Sequence, residues 1–536
     1  MVRELRQPES HGWLWTFPIE LKELAGFPTT VTDLTINGVS QASSLNTIFS
    51  DTNIPAKGII HGRFGLAALN VPQSVVIGIS GVDGGGFKWT QQVSVLFTDP
   101  PVTSSMKLTA IPITSSDPAC PWAQQLTLQE YTGIRVHLTR FAAGPEDLTP
   151  EMQLVFGTMR LGGAGQLQGT FCRAGAAAPP NETLEVDGTD GAGNTVSATA
   201  NAVYGNPPPG SPQLTVAPAT ISLLTSARPG VASTAINIDP GGPNQKWTVS
   251  VFPANGTTQW LTVNPTSGTG PGEVLVYGSS DGLSNGTVFG NLVFQSAGAT
   301  PQTAEVPVAL SVGGLNFATI SGAGNGASFT QSFAPGMVMS IFGARLAPST
   351  SQARSTPLPT TLNGVSATVN GVRAPIYYTS PSQINIQIPY ETSSGTAVVG
   401  IDNNSEVATY FFKVTAAAPG IFTGKNNALA PASTAKAGDT ITLYMTGDGD
   451  TDIYLLNGTS PGSGIPLNSL PSPRLPVTVT VGGSPANIVF LGITPGLVGE
   501  TQVNFTVPSD VAPGAQPVVV TVGGYASAPV NLTITQ

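Results

Sequence analysis

Residues 365–389 read VSATVNGVRAPIYYTSPSQINIQIP, and residues 477–508 read VTVTVGGSPANIVFLGITPGLVGETQVNFTVP. Each stretch begins with alternating apolar and polar residues, passes through Asn-Gly or Gly-Gly, and ends in the related segments QINIQIP and QVNFTVP. A period of two indicates β-strands, and these dipeptides are typical of tight hairpin turns because they tolerate positive φ. The duplication predicts two β-sandwich domains at the C-terminal end of the chain, at 315–417 and 418–536. They are numbered the fourth and fifth domains below.

A second repeat lies in the N-terminal part of the chain. An offset of 107 residues superimposes identical residues without a gap, including Leu21 on Leu128, Phe49 on Phe156, Gly62 on Gly169 and Phe64 on Phe171. Each copy is closed by consecutive prolines, which cannot continue a central strand. We therefore predict two copies of one unit, a first domain at 1–101 and a second at 102–210.

The remaining segment, 211–314, predicts a third domain. It contains the alternating runs KWTVS (246–250) and EVPVALSV (305–312). The whole chain has 63 Gly and 47 Pro among 536 residues, so long helices are not expected. The predicted fold class is all-β, with five tandem immunoglobulin-like β-sandwich domains in a linear array.

Charge and hydropathy exclude some classes of partner. The net charge is −10, and no basic block is present, which argues against nucleic-acid binding. No apolar run approaches the roughly 18 residues of a transmembrane helix. Residues 1–21 lack the continuous apolar stretch of a signal peptide. The composition, with only 9% charged residues, nevertheless favours an extracellular or cell-surface location, with a cytoplasmic one as the alternative.

Several motifs resemble known bacterial families. In 318–536, NGASFTQSFAPGMVMSIFGARLA, AAPGIFT and AGDTITLYMTGDGDTD resemble the uncharacterised C-terminal domain of Solibacter and other acidobacteria. In 212–314, WTVSV, WLTVNPTSGTG and VPVALSV resemble the BACON family of immunoglobulin-like sandwiches. Residues 1–209 resemble a tandem bacterial immunoglobulin-like repeat. These resemblances imply surface or secreted modules with no assigned activity and no ligand residues to transfer.

The best candidate for a metal site is an acidic stretch in the fifth domain. The resembled family usually has Thr-Gly-Leu-Gly-Pro-Thr-Asp where this chain has extra carboxylates, at Asp448, Asp450 and Asp452. Their spacing would let oxygens from one loop converge on Ca²⁺. An EF-hand is excluded because its glycine and glutamate positions hold Ile453 and Thr459. The alternative is a solvated turn, and no other cofactor is expected.

Catalytic signatures are weak. The sequence Gly278-Ser279-Ser280-Asp281-Gly282 matches a nucleophile elbow by letters, but the three histidines of the chain all lie in the first two domains. A serine nucleophile needs a nearby base, so we expect no enzyme activity.

Aromatic and cysteine residues supply the other candidates. Exposed rings can bind sugars, and Trp260, Tyr377 and Tyr378 are candidates for such a platform. Cys120 and Cys172 both lie in the second domain, and an exported protein would join them in a disulfide. The alternative is a pair of buried free thiols.

The sequence predicts a non-catalytic structural, adhesive or scaffold protein of the cell exterior, with the capacity to associate with copies of itself through unpaired strand edges. The alternative is a polysaccharide-binding or accessory region of a larger secreted enzyme whose catalytic domain is absent from this chain.

Overall fold

The chain is described by a computed structural model, which is all-β as predicted. The described residues are 5–9, 12–49, 51–67, 73–97, 103–113, 118–163, 165–204, 213–225, 230–252, 258–281, 283, 285–299, 303–313, 318–354 and 356–536. The predicted boundaries after residues 101, 210 and 314 lie outside these ranges. No helix in the described part of the chain is long and apolar enough to cross a membrane.

The first two domains reproduce the sequence repeat strand for strand. The first contains β1 (Leu5–Glu9), β2 (Gly12–Lys22), β3 (Thr29–Ile36), β4 (Val39–Ser40), β5 (Asn53–Ile54), β6 (Ile59–Ala67), β7 (Gln73–Asp83), β8 (Lys88–Phe97) and helix α1 (Leu45–Ile48). The second contains β9 (Met106–Ile113), β10 (Trp122–Glu130), β11 (Val136–Ala143), β12 (Glu146–Asp147), β13 (Arg160–Leu161), β14 (Gln166–Arg173), β15 (Glu182–Asp190), β16 (Thr195–Ala202) and helix α2 (Met152–Phe156). Short 3₁₀ turns precede both helices, at Ala42–Ser44 and Thr149–Glu151.

The repeat extends to local irregularities. In both copies the register shifts at the same aligned place, between Val31 and Asp33 and between Leu138 and Arg140. Gly169 is required by close packing, because a Cβ there would lie 2.2 Å from the carbonyl oxygen of Val155 in α2. The aligned Gly62 packs against the end of α1 in the same way. Shared bulges and close approaches show that the two copies have the same backbone design.

The third domain is a sandwich of two sheets, with strand orders β17-β19-β23-β21 and β18-β25-β24-β20-β22. Its strands are β17 (Thr215–Ala217), β18 (Ile221–Thr225), β19 (Val231–Asp239), β20 (Lys246–Phe252), β21 (Leu261–Asn264), β22 (Ser267–Thr269), β23 (Gly272–Ser279), β24 (Gly286–Gln295) and β25 (Thr303–Val312). All its pairings are antiparallel except β18 with β25.

The fourth domain has sheets ordered β26-β27-β33-β32-β28 and β29-β30-β34-β35. Its strands are β26 (Thr319–Asn325), β27 (Val338–Ala344), β28 (Ser351–Gln352), β29 (Thr361–Leu362), β30 (Val365–Val369), β31 (Val372–Ala374), β32 (Ile376–Thr379), β33 (Gln383–Gln387), β34 (Gly395–Asn403) and β35 (Glu406–Val414). The predicted hairpin turns are present here and in the fifth domain, with positive φ at Asn370, Gly371, Gly482 and Gly483.

The fifth domain differs from the fourth by having one continuous nine-stranded sheet. Its strands are β36 (Gly420–Ile421), β37 (Thr434–Lys436), β38 (Thr440–Thr446), β39 (Val477–Val481), β40 (Ser484–Gly492), β41 (Thr501–Thr506), β42 (Gly514–Val522), β43 (Tyr525–Ala526) and β44 (Val530–Thr535), and further 3₁₀ turns cover Lys425–Asn427 and Leu467–Ser469. One end of β40 pairs with β39 and the other with β41. In the fourth domain Pro375 separates the corresponding β31 and β32, because proline removes a ladder donor.

Each predicted domain range contains its own buried hydrophobic cluster, and Ala416 to Ala418 are shared at the last boundary. A small sixth cluster, Tyr390 with Leu455 and Ile493, joins the fourth and fifth domains. A serial array predicts contacts between consecutive domains. The structure adds contacts between the second domain and the fifth, which form the site described next.

Candidate functional site at the domain junction

A buried ion pair joins the second domain to the fifth. Arg160 begins β13 and is 3% exposed, while Asp450 lies in the loop after β38 and is fully buried. Nη2 of Arg160 is 2.7 Å from Oδ1 of Asp450, and Nε donates to the same oxygen at 2.7 Å. Oδ2 accepts hydrogen bonds from the backbone N–H of Met159 at 3.0 Å and the hydroxyl of Thr158 at 3.3 Å. Both buried charges are therefore compensated.

The guanidinium of Arg160 also lies between two aromatic rings. Its Cζ is 4.2 Å from the ring centroid of Tyr390 in the fourth domain and 4.3 Å from that of Tyr454 in the fifth. Nη1 donates to the carbonyl of Leu455, and Nη2 donates to the hydroxyl of Thr451 at 3.0 Å. Burial raises the pKa of Tyr390, so its ring stays neutral. Three domains thus meet at one guanidinium, and each of its nitrogens already has a protein acceptor.

The three carboxylates of the predicted calcium site each have a separate partner within the protein. Asp448 accepts a hydrogen bond from the hydroxyl of Thr501 at 2.8 Å, and Asp450 pairs with Arg160. Asp452 accepts from the backbone N–H and the hydroxyl of Ser472, at 2.8 and 2.9 Å. Burial raises the pKa of Asp448 to about 6. The described residues contain no group of three or more His, Cys, Asp or Glu that could hold a metal.

The three residues of the predicted aromatic platform are buried or half-buried. Trp260 is 5% exposed and belongs to the core of the third domain, because its ring fills space between the two sheets. Tyr377 is half-buried at the contact of the fourth and fifth domains, where its hydroxyl donates to the carbonyl of Val498 and accepts from the N–H of Val498 at 3.0 Å. Tyr378 is half-buried on the neighbouring position of β32. Carbohydrate binding stays a prediction.

Cys120 and Cys172, the predicted pair, are joined in a disulfide. Cys172 lies on β14, opposite Ala123 of β10, and Cys120 lies just before β10. The bond therefore ties the start of β10 to its neighbour in the sheet. The described residues contain no free cysteine.

A second junction contains a cavity of about 180 Å³ where the second, third and fourth domains meet. The second domain contributes Gln168 from β14, the third contributes Asn291 and Glu305 from β24 and β25, and the fourth contributes Ser394. Nε2 of Gln168 lies 3.4 Å from Oε2 of Glu305, a long hydrogen bond. Burial raises the pKa of Glu305 from 4.5 to about 7. The cavity thus holds a carboxyl group that changes charge near neutral pH.

This pKa predicts a pH dependence of stability. A carboxyl whose pKa is higher in the folded than in the unfolded chain binds its proton more tightly when folded, so stability is lost as pH rises. We expect the free energy of unfolding to fall between pH 4.5 and about 7, and Glu305→Gln to flatten this decline. Urea unfolding at several pH values across this range measures the free energy of unfolding. The control variant is Glu273→Gln, because Glu273 is an exposed glutamate of the same domain. Equal slopes in the two variants would contradict the prediction.

Sequence reasoning missed Arg160, Tyr390, Tyr454 and Glu305. At the junction of Arg160 and Asp450, one sequence feature was informative. Residues 446–452 depart from the pattern of the resembled family, and this departure drew attention to Asp450 but not to Arg160. Nothing in the local sequence marks Arg160, because its partner lies 290 residues away in the chain. Glu305 occupies an apolar run, EVPVALSV, where one charged residue at a strand end is unremarkable.

The fold and the junctions define a multidomain all-β protein made of tandem β-sandwiches. No family model matches the chain, and no curated protein matches it. Among solved structures, a Bacteroides ovatus GH5 xyloglucanase in complex with a heptasaccharide is 17% identical with a TM-score of 0.15, covering 23% of this chain and 21% of its own. This chain therefore spans about a fifth of that enzyme.

Two other similar structures cover more of the chain. The SGBP-B protein of the Bacteroides ovatus mixed-linkage glucan utilization locus, in complex with a mixed-linkage heptasaccharide, is 12% identical with a TM-score of 0.26, covering 60% of this chain and 70% of its own. The human desmocollin-1 ectodomain is 10% identical with a TM-score of 0.15, covering 94% and 92%. At these scores the similarities carry no argument about function.

Proposed function

We propose that this chain is a non-catalytic structural or adhesive protein of the cell exterior. Domains two to five act as a scaffold, and the first domain associates with a second copy of the chain. The scaffold role is supported by the use of Arg160 and Asp450, two buried charges, in joining domains rather than in lining a cleft. The exterior location is supported by the disulfide, because such bonds persist in oxidising compartments.

The observation that carries the self-association is the open edge of the first domain. β8 is a ten-residue strand at the end of the sheet order β4-β3-β7-β8, and in the described part of the chain it pairs with β7 alone. Val93 on this strand is 54% exposed, and Phe87 just before it is 75% exposed. A long, exposed and partly apolar edge strand is a template for pairing with another strand.

The second copy of the repeat has the same edge, but there it is covered. Its strand β16 corresponds to β8, and β9 packs alongside it. Ala198 is 6% exposed and Ala200 is half-buried, whereas Gln91 and Val93 at the aligned positions are exposed. Among the described residues, β9 therefore packs against this edge strand in the second copy, whereas the aligned strand of the first copy is exposed at Gln91 and Val93.

A second copy of the chain is the partner that fits this edge best. Unpaired N–H and C=O groups of one β8 would pair with those of another across a two-fold axis, which makes the interface self-complementary. Val93 and Phe87 from both copies would then add apolar contact beside the backbone ladder. Most polar side chains of β8 are uncharged, so few like charges would face each other.

Light scattering of the full chain over a range of concentrations tests this proposal. We expect the mean mass to rise with concentration, and Val93→Lys to shift the dissociation constant at least about tenfold because it places like charges opposite each other. Val231→Lys is the matched control, since Val231 is 67% exposed on β19 of the third domain. A monomeric wild-type chain, or equal association of all three proteins, would refute self-association through β8.

A further inference from the structure

The cavity at the second junction contains oxygens that the protein leaves without partners. Asn291 is 2% exposed, and its Oδ1 has no hydrogen-bond partner. The hydroxyl oxygen of Ser394 is buried there and has none either. Buried polar atoms normally find a partner, and each one left unpaired costs free energy. These atoms therefore point to something that binds in the cavity.

The chemistry of the lining favours a cation. Among the described residues that line the cavity, Glu305 alone is charged. Its carboxylate receives one hydrogen bond, from Gln168 at 3.4 Å, so most of its acceptor capacity is unused. An ionised carboxylate and an amide oxygen are electron-rich, and hard divalent cations take such oxygens together with water. An anion would be repelled by Glu305.

The size of the cavity is also suitable. Its volume of about 180 Å³ is far larger than the roughly 10–15 Å³ that a single water needs. A cation bound by a few protein oxygens completes its coordination shell with several waters, which requires such a space.

We propose that this cavity binds a hard divalent cation of the Ca²⁺ class, with Glu305, Asn291 and Ser394 supplying protein oxygens. The site is separate from the acidic stretch at 448–452. Because its ligands belong to two domains and Gln168 of a third lies against Glu305, the bound ion would hold the second, third and fourth domains together. One carboxylate gives low charge, so the affinity is expected in the range of about 10⁻⁴–10⁻³ M, as in extracellular modules.

The test is calorimetric titration of the full chain with CaCl₂ at constant ionic strength. We expect millimolar binding, a rise in the unfolding temperature with CaCl₂, and weaker binding of Mg²⁺, which demands stricter geometry. Glu305→Gln should weaken binding at least about tenfold, and Ser394→Ala should weaken it severalfold while leaving all charges in place. Glu273→Gln, at an exposed position of the third domain, should bind as the wild type does.

Two outcomes would overturn the proposal. The first is no heat of binding and no thermal shift up to about 10 mM Ca²⁺, well above the expected dissociation constant. The second is equal affinity in the wild type, Glu305→Gln and Ser394→Ala. Self-association through β8 is measured separately, so either proposal can fail without the other.

Discussion

Replacing Arg160 with methionine is expected to lower the free energy of unfolding by roughly 3–5 kcal/mol, because it leaves the buried carboxylate of Asp450 with a single, more distant positive partner, Arg474, whose Nε lies 4.0 Å from Oδ2. Asp450 is fully buried, and the donors that remain to Oδ2 are neutral groups of Thr158 and Met159. Urea unfolding of the full chain measures the effect in the transition of the domains that meet at this junction. Because five domains need not unfold together, hydrogen exchange at the Met159 amide provides a local readout.

Two further variants compare the buried ion pair of Arg160 and Asp450 with an exposed ion pair. Arg140 forms ion pairs with Glu185 and Asp187 but is 43% exposed, so Arg140→Met should cost far less free energy of unfolding than Arg160→Met. The double variant Arg160→Met/Asp450→Leu removes both buried charges and should recover part of the loss. If Arg160→Met and Arg140→Met are equally mild, the junction does not hold the domains together.

Removing the disulfide is expected to lower the free energy of unfolding of the second domain by about 4 kcal/mol in the chain-entropy model. Cys120 and Cys172 are separated by 52 residues, so the bond closes a long loop and restricts the unfolded chain. Urea unfolding of the double variant Cys120→Ala/Cys172→Ala, compared with the wild type, measures this loss in the free energy of unfolding. Trp122, which is 6% exposed and close to Cys120 in sequence, is a fluorescent reporter in the same domain.

The first domain provides an internal control for this prediction. It has the same backbone design, but Trp13 and Gly65 occupy the positions aligned with the two cysteines. Reduction should therefore destabilise the second domain alone, and a reductant should have no effect on the double alanine variant. An unchanged unfolding midpoint after reduction, or two reactive thiols in the unreduced unfolded chain, would show that the bond does not contribute in solution.

Much of the fold could be predicted because its determinants are local or repeated. Period-two alternation and paired turn residues predicted the strands and hairpins of the last two domains. The offset of 107 residues predicted that the first two domains share one design, and the structure repeats even the bulges after Val31 and Leu138. Cys120 and Cys172 were predicted as a pair because both lie in the second domain and an exported protein would join them.

The candidate sites were predicted less well, for two physical reasons. Spacing placed Asp448, Asp450 and Asp452 near each other in the chain, but each carboxylate found a better partner across a domain or loop contact. Trp260 was treated as a surface ring, but the free energy gained by burying a large aromatic side chain favours the core. In both cases exposure was inferred from sequence neighbours, whereas burial depends on contacts between distant parts of the chain.

The sequence by itself determined the all-β class, the repeats and the turns, because strand alternation and turn chemistry depend on residues close together in the chain. Only the tertiary structure decided how the domains meet. Arg160 and Asp450 come from opposite parts of the chain, and Gln168, Glu305 and Ser394 come from three domains. Contacts of this kind depend on single polar residues brought together by packing, and no periodic pattern in the sequence marks them.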